Sequence, residues 1–451
     1  MRQMVSVNAP SGFRDFLQED ARRRLQLMHT IASVYQSFGF SPLETPVLES
    51  LDLLLGRGGG GEENEKLIFK VMKRGDKLTE ALAGAFKPGN QVQAEIAEYG
   101  LRFDLTLPLS RVVANHRGQI RFPWKVFHIG PVWRAERPQK GRFREFVQCD
   151  VDILGAKGIG AEVEVIQAVV QALDQLGASG FELRINDRRL IQAMGEKAGF
   201  SGEKLEQFAI LLDKKDKMPM EELLASLKEL SGQELTADAR AVVEGNLGLD
   251  EVSAYHSEAA QDLKSILEIL KELKLPLEGM TFDPSLVRGM GYYTGPVFEL
   301  RHRSAGYSFG GGGRYDRLVG RLTGEDVPAC GFSIGFERLA LLLAENERKG
   351  EQISKTVFLP VFEESLRGRV SCLAQGLRQA GITADVFPDR AKIKSQFKFA
   401  SEQGYSWVLI AAGNEWAAKC FKLKDFKSGT EIEVQESQLI PHLQSVLLSS
   451  R

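Results

Sequence analysis

The stretch RAERPQKGRFR at 134–144 sets five cations, Arg134, Arg137, Lys140, Arg142 and Arg144, against one acid, Glu136. Pro138 and Gly141 mark it as a turn between two alternating segments, the loop of a long β-hairpin. Guanidinium groups clamp phosphate oxygens through paired N–H bonds. On residues alone, the loop reads either as such a clamp or as a solvated basic turn. A second stretch, LVRGMGYYTG at 286–295, sets Arg288 and the phenols of Tyr292 and Tyr293 among glycines. It reads as a positive charge and two hydroxyls beside an open backbone, or as a surface loop. Four glycines stand in a row at 310–313 of FGGGGRYDRLVG (309–320).

Side chains at i, i+2 and i+4 of a strand share one face. LRFDLTL (101–107), read as a strand, puts Arg102, Asp104 and Thr106 opposite Leu101, Phe103, Leu105 and Leu107. REFVQCDVDIL (144–154) puts Gln148, Asp150 and Asp152 opposite Val147, Cys149, Val151 and Ile153. KVFHIGPVWRAE (125–136) puts Arg134 on the face of Val132, Gly130 and His128. Strand by strand, a sheet with one wet face explains this. Carboxylates and amides are poor strand formers, however. Their recurrence points to a concave polar cleft for a small ligand with several donors and acceptors.

The elements that must position these groups follow from periodicity. Residues 19–39 read as a helix ending at Gly39, and 159–176 as a second helix. GRGGGGEENEK (56–66) reads as a mobile loop, since four consecutive glycines lose much entropy on ordering. From 186 to 275 the chain is rich in Lys, Glu and Leu and reads as a helical insertion. Strands and glycines return at 281–335, followed by a helix after Gly335. Residues 350–356 read as a linker, and from 356 strands and helices alternate as in a small α/β domain.

A chain of 451 residues exceeds a single core and suggests roughly three units. Apolar content of 43% and charged content of 26% fit a soluble globular protein. A net charge of −2 excludes a globally basic nucleic-acid binder and leaves room for local basic patches. The N-terminal residues lack the apolar run of a signal peptide, and no stretch approaches the ~20 apolar residues of a membrane span. Cys149, Cys330, Cys372 and Cys420 lack metal spacing and read as reduced thiols of a cytoplasmic protein.

With those residues in view, the strand–arginine–loop–strand at 124–154 resembles motif 2 of the class II aminoacyl-tRNA synthetases. ACGFSIGFERLALLL (329–343) resembles motif 3, and FSPLETPVLE around Pro46 resembles motif 1, whose proline lies at the dimer interface. PSGFRDF (10–16), LVRGMGYYTG and FGGGGRYDRLVG resemble the histidyl-tRNA synthetase family in particular, and the resemblance spans essentially the whole chain. It implies an α+β fold. A class II catalytic core (1–185 and 276–349) would hold an antiparallel sheet flanked by helices, with a helical insertion at 186–275 and a C-terminal α/β anticodon-binding domain at 356–451.

The resemblance also implies roles. Asp104, Leu105 and Thr106 would contact histidine, with Gln148 and Asp152 near its amino group and Tyr292 and Tyr293 beside it. Arg134 would grip the ATP α-phosphate and the histidine carboxylate, and Arg288 would be the second catalytic arginine. Glu136 and Arg338 would contact ATP, with Arg338 on the γ-phosphate, while Arg142 and Arg144 would face the tRNA acceptor end. The reaction joins histidine to ATP, releases pyrophosphate, and passes the histidyl group to tRNA(His). Fixed arginines lower the barrier to the first step by electrostatic preorganisation. Implied partners are L-histidine, ATP with Mg²⁺, tRNA(His) and a second copy in a homodimer. No tightly bound cofactor and no metal held by side chains is expected.

One position departs from the pattern: many members carry an acid just before the tyrosine pair, where this chain has Gly291. In the C-terminal part, residues 386–427 hold eight cations and four acids interleaved with Phe397, Phe399, Tyr405, Trp407 and Trp416. Basic and aromatic residues suit unstacked RNA bases, and they equally suit a solvated helix over core aromatics. The same family has a non-catalytic relative that serves as a histidine-sensing regulatory subunit and lacks an anticodon domain. The presence of that domain, with Arg134, Arg288 and Arg338 together, favours the enzyme.

Overall fold

The computed structural model describes residues 7–55, 65–85, 96–139, 141–215, 218–245, 247–288, 291–347, 356–426 and 428–448. Most of the glycine-rich 56–66 loop and of the 350–356 linker lies outside the described residues. By contacts the chain divides into two units, Met1–Ala344 and Glu345–Arg451.

The strands of the first unit are, in chain order, β1 (Ser41–Pro42), β2 (Leu48–Ser50), β3 (Lys70–Met72), β4 (Ala97–Leu101), β5 (Trp124–Trp133), β6 (Glu145–Leu154), β7 (Phe181–Asp187), β8 (Gly279–Phe282), β9 (Pro296–His302), β10 (Ser308–Arg314) and β11 (Ala329–Gly335). Eight form one sheet in the order β1-β5-β6-β11-β10-β9-β7-β8. Its centre is antiparallel, and its edge pairs β1–β5 and β7–β8 are parallel. The two long strands pair over their full length, Trp124 with Leu154 through Trp133 with Glu145, as their alternation predicts.

The Val147–Cys149–Val151–Ile153 face of β6 is covered by helices Gln18–Ser37 and Gly160–Gln175. Their apolar residues recur at helical spacing, Leu27, Ile31, Val34 and Val163, Ile166, Val170, Leu173, and all are buried. Arg314 at the end of β10 binds Glu162 through two short bonds, 2.6 and 2.8 Å, which ties sheet to helix. Between β7 and β8 the described residues form helices, among them Arg188–Lys197, Glu203–Leu212, Met220–Ser231, Ala237–Glu244 and Ser257–Glu272. Their buried residues, including Phe208, Leu223, Leu227 and Leu263, are continuous with the core behind the sheet. Arg189 fastens the first of these helices by bonding Asp187 at 2.8 Å and Asp262 at 2.7 Å.

The reading of 101–107 as a strand is corrected. Only Leu101 lies in β4, and the helix Thr106–His116 begins five residues later. Asp104 Oδ1 accepts the Leu107 amide at 3.2 Å, and Pro108, which has no N–H to give a ladder, fits the first turn of a helix. Arg102 therefore does not share a face with Asp104. It is buried and donates to Pro131 O and Thr45 O at 2.9 and 2.8 Å. A three-stranded sheet, β2-β4-β3, flanks this region.

In the second unit, β12 (Val357–Leu359), β13 (Ala384–Val386), β14 (Trp407–Ile410), β15 (Cys420–Asp425) and β16 (Glu431–Gln435) form a sheet ordered β13-β12-β14-β15-β16. The first three are parallel and are joined by helices Arg367–Gln379 and Ile393–Glu402. The antiparallel β15–β16 hairpin and the helix Leu439–Leu448 complete it. Phe421, Leu423, Leu439 and Leu443 bury the added elements in the same core.

Candidate active site

The open face of β6, β10 and β11 forms the floor of a cavity of about 450 Å³. Glycines make that floor. A Cβ on Gly311 would lie 1.5 Å from Arg288 Nη2, one on Gly312 1.9 Å from Gly331 O, and one on Gly331 1.8 Å from Asp152 Oδ1. The glycine run thus admits a guanidinium against the sheet. Gly311 stands opposite Ser333, and Ser333 opposite Asp150, so Arg288 lies across the sheet at the level of Asp150.

The cavity is polarised along β6. Asp152 and Gln148 are four residues apart, about 13 Å of strand. At the Asp152 end, Tyr315 Oη donates to Asp152 Oδ1 at 2.6 Å, and Tyr292 packs on Tyr293 and Tyr315 with ring centroids 4.8 and 5.9 Å apart. At the Gln148 end, Gln148 Nε2 donates to Ser333 Oγ at 2.7 Å. Just beyond are Arg134, which donates to Phe103 O at 3.1 Å, and Arg338, which donates to Ser308 O and stacks over Tyr307. Arg142 closes this end and binds Glu136 at 3.0 Å.

Burial sets the charge states. Desolvation lifts the Asp104 carboxyl to about 6, with the Leu107 amide and Arg134 pulling the other way. Desolvation lifts Asp152 to about 7 against its bond from Tyr315. Asp150 is raised well above the usual carboxylate range by burial first and by Asp152 second. Burial lowers Arg134 and Arg338, and Arg142 adds to the lowering of both. Among the described residues two buried acceptors of the cavity, Asp104 Oδ2 and Gln148 Oε1, have no hydrogen-bond partner. The site thus pairs three buried carboxyls, each raised by desolvation, and two orphan acceptors with a cluster of fixed arginines. Such a set takes a ligand with N–H donors at one end and phosphate oxygens at the other.

Of the residues singled out from sequence, Asp104, Thr106, Arg134, Glu136, Arg142, Gln148, Asp152, Arg288, Tyr292, Tyr293 and Arg338 line this one cavity. Leu105 does not, being buried in the core beside the start of its helix. Arg144 does not line it either: it turns away to donate to Glu136 O and Ser11 O at 3.0 and 3.3 Å. Sequence reasoning passed over Tyr315, Ser333, Phe143, Phe146 and Glu337, all of which line the cavity. Strand alternation does put Asp150 on the face of Gln148 and Asp152, and it too lines the cavity.

The histidyl-tRNA synthetase family model matches residues 90–339, and an anticodon-binding domain model matches 355–445. A histidine–tRNA ligase of Christiangramia forsetii is 34% identical over 96% of this chain and 97% of its own length. One of Leifsonia xyli subsp. xyli is 39% identical over 90% of this chain and 96% of its own length.

The chain belongs to the histidyl-tRNA synthetase family.

The fold agrees. A histidyl-tRNA synthetase structure from Nostoc sp. superimposes with a TM-score of 0.81 at 24% identity, covering 98% of this chain and all of that one. A Bacillus halodurans structure, titled an ATP phosphoribosyltransferase regulatory subunit/histidyl-tRNA synthetase, does so with a TM-score of 0.72 at 21% identity over 91% of this chain. At those identities the likeness concerns fold alone. Members of this family use ATP. Among the described residues no helix is long and apolar enough to cross a membrane.

Proposed function

We infer that this chain is a histidine–tRNA ligase, which activates L-histidine with ATP and transfers it to tRNA(His). The observation that carries the reading is the pairing of orphan acceptors with arginines in one cavity. Asp104 Oδ2 and Gln148 Oε1 await N–H donors, and the α-ammonium and imidazole of histidine supply them. A cation entering the cavity shifts Asp150 and Asp152 toward their ionised forms, because opposite charge favours the charged form. A site built of such partners rejects apolar amino acids, which would leave the acceptors unpaired.

Arg134 and Arg288 bring the histidine carboxylate and the α-phosphate together and hold the charge that spreads over the phosphate oxygens as the bond to the leaving group stretches. Arg338 takes the γ-phosphate, and Glu136 accepts hydrogen bonds from the nucleotide. Mg²⁺ travels with the triphosphate as MgATP and neutralises the departing pyrophosphate. Among the described residues no cluster of three or more His, Cys, Asp and Glu is grouped for a metal. Arg142, half-exposed at the loop, meets the tRNA acceptor end. Arg144 is not given that role, since its guanidinium is committed to backbone carbonyls.

The protein acts as a cytoplasmic homodimer in this reading. The three-stranded sheet and its surroundings expose Val47, Leu48, Met72, Leu82 and Tyr99, a grouping that suits a buried partner surface. The 355–445 match to an anticodon-binding domain separates this chain from a histidine sensor, which has no use for RNA. Aminoacylation tests the whole reading. Purified protein charges a tRNA(His) transcript with histidine and leaves a tRNA of another specificity uncharged. Failure to charge either transcript, or equal charging of both, overturns it.

A further inference from the structure

The PSGFRDF stretch near the N-terminus has no part in the scheme above, yet its residues meet the hairpin at the cavity's edge one by one. Gly12 has φ of +87°, and a Cβ there would lie 2.8 Å from Arg144 Cγ and 3.0 Å from Pro138 Cγ. The position therefore needs glycine twice, for its conformation and for the close approach. The Arg144 amide donates to Gly12 O at 2.9 Å and its guanidinium to Ser11 O. Phe13 packs edge-on against Phe69. Arg14 stacks on the Phe143 ring at 3.2 Å from its centroid and donates to Glu337 Oε2 at 2.7 Å. Arg24 grips the same carboxylate at 2.6 and 2.8 Å without stacking on Phe143, lying instead over Phe16 and Phe336.

We propose that Arg14 is a positioning residue: it clamps the loop carrying Arg142 and Phe143 to the helix that starts at Phe336, and so holds the phosphate end of the cavity in its binding shape. Phe143, Arg142, Glu337 and Arg338 all line that end. The hairpin carries its own closing bonds, Arg134 N to Arg144 O and the Gln139–Arg142 pair. Those fix its internal shape and leave its placement over the cavity to outside contacts. Ser11, Gly12 and Arg14 supply such contacts from one short segment. A planar cation on an aromatic face is worth most when desolvated, and here the guanidinium is held between that ring and a buried carboxylate. The inference rests on the ligase reading for what the clamped end binds.

The test is ATP–pyrophosphate exchange with each substrate titrated against saturating partner, together with hydrogen exchange of amides 141–146. Arg14→Ala is expected to raise the KM for ATP about tenfold and leave the histidine KM within about twofold. Arg14→Lys, which keeps the charge and loses the planar stack, falls between. Phe143→Leu raises the ATP KM similarly, and the double variant goes no further, as for two residues of one contact. Arg24→Ala keeps the ATP KM within about twofold of the parent, because it shares Glu337 and not the loop. Equal effects of Arg14→Ala and Arg24→Ala, or equal rises in both KM values, overturn the proposal. Hydrogen exchange separates its failure from that of the ligase reading. Faster exchange at 141–146 in Arg14→Ala alone supports the clamp even in a chain without ATP–pyrophosphate exchange, and unchanged rates refute it.

Discussion

Replacing Asp152 with asparagine is expected to stabilise the ligand-free fold while abolishing histidine activation. The carboxyl is buried on the cavity floor, and its folded value of about 7 stands well above the ordinary 3.8. The gap, at about 1.4 kcal/mol per pH unit, makes the ionised group cost roughly 4 kcal/mol in the folded state. The sign follows from the raised value. Its stability contribution is fully present below pH 3.8 and is lost as pH rises through about 7. Asparagine keeps the shape and still offers an oxygen to the Tyr315 hydroxyl, now 2.6 Å from Asp152 Oδ1. The assay is thermal unfolding of parent and Asp152→Asn at pH 4 and pH 8, with histidine-dependent exchange alongside. The variant melts several degrees above the parent at pH 8, and the difference shrinks toward pH 4. A variant that melts below the parent at pH 8, or a difference independent of pH, refutes the reasoning. So does a normal histidine KM, since the strain is held to be what the ligand's cation relieves.

Three further outcomes follow from the same cavity. Arg288→Ala loses at least about 10²-fold in exchange rate. It still melts like the parent, because Glu299 keeps Arg301 at 2.6 Å; near-normal exchange in that variant assigns Arg288 a structural role only. Gly311→Ala displaces the Arg288 guanidinium that now occupies its Cβ position, so exchange falls comparably. Adding it to Arg288→Ala then costs little more, which a double-mutant cycle reads. Arg142→Ala impairs transfer to tRNA more than adenylate formation, measured by single-turnover transfer against exchange; equal losses contradict that division.

Much of this site was legible because strand alternation survives in β5 and β6, where one face is polar and the other core. Gln148, Asp150 and Asp152 could be placed on one wall from period alone. LRFDLTL misled because it alternates equally well while Asp104 and Pro108 spell the start of a helix. The Leu107 amide's bond to Asp104 Oδ1 and the missing N–H of Pro108 outweighed the alternation. Leu105 followed its segment into the core, and Arg144 was drawn from the cavity by the carbonyls of Glu136 and Ser11. The partners of the polar wall were out of reach. Tyr315 lies 163 residues from Asp152 and Ser333 185 from Gln148, and only sheet order joins them. Gly291, where the resemblance implies an acid, is exposed, with open space around it among the described residues. Its carbonyl accepts from Arg321 at 3.2 Å, so the loop is held through backbone at this point.

Histidine-dependent ATP–pyrophosphate exchange tests the central claim most directly, because it needs the acid end and the arginine end of one cavity at once. With MgATP and labelled pyrophosphate, the purified chain incorporates label into ATP when histidine is present and not with leucine or phenylalanine. No incorporation with histidine, or incorporation that ignores which amino acid is supplied, contradicts the account.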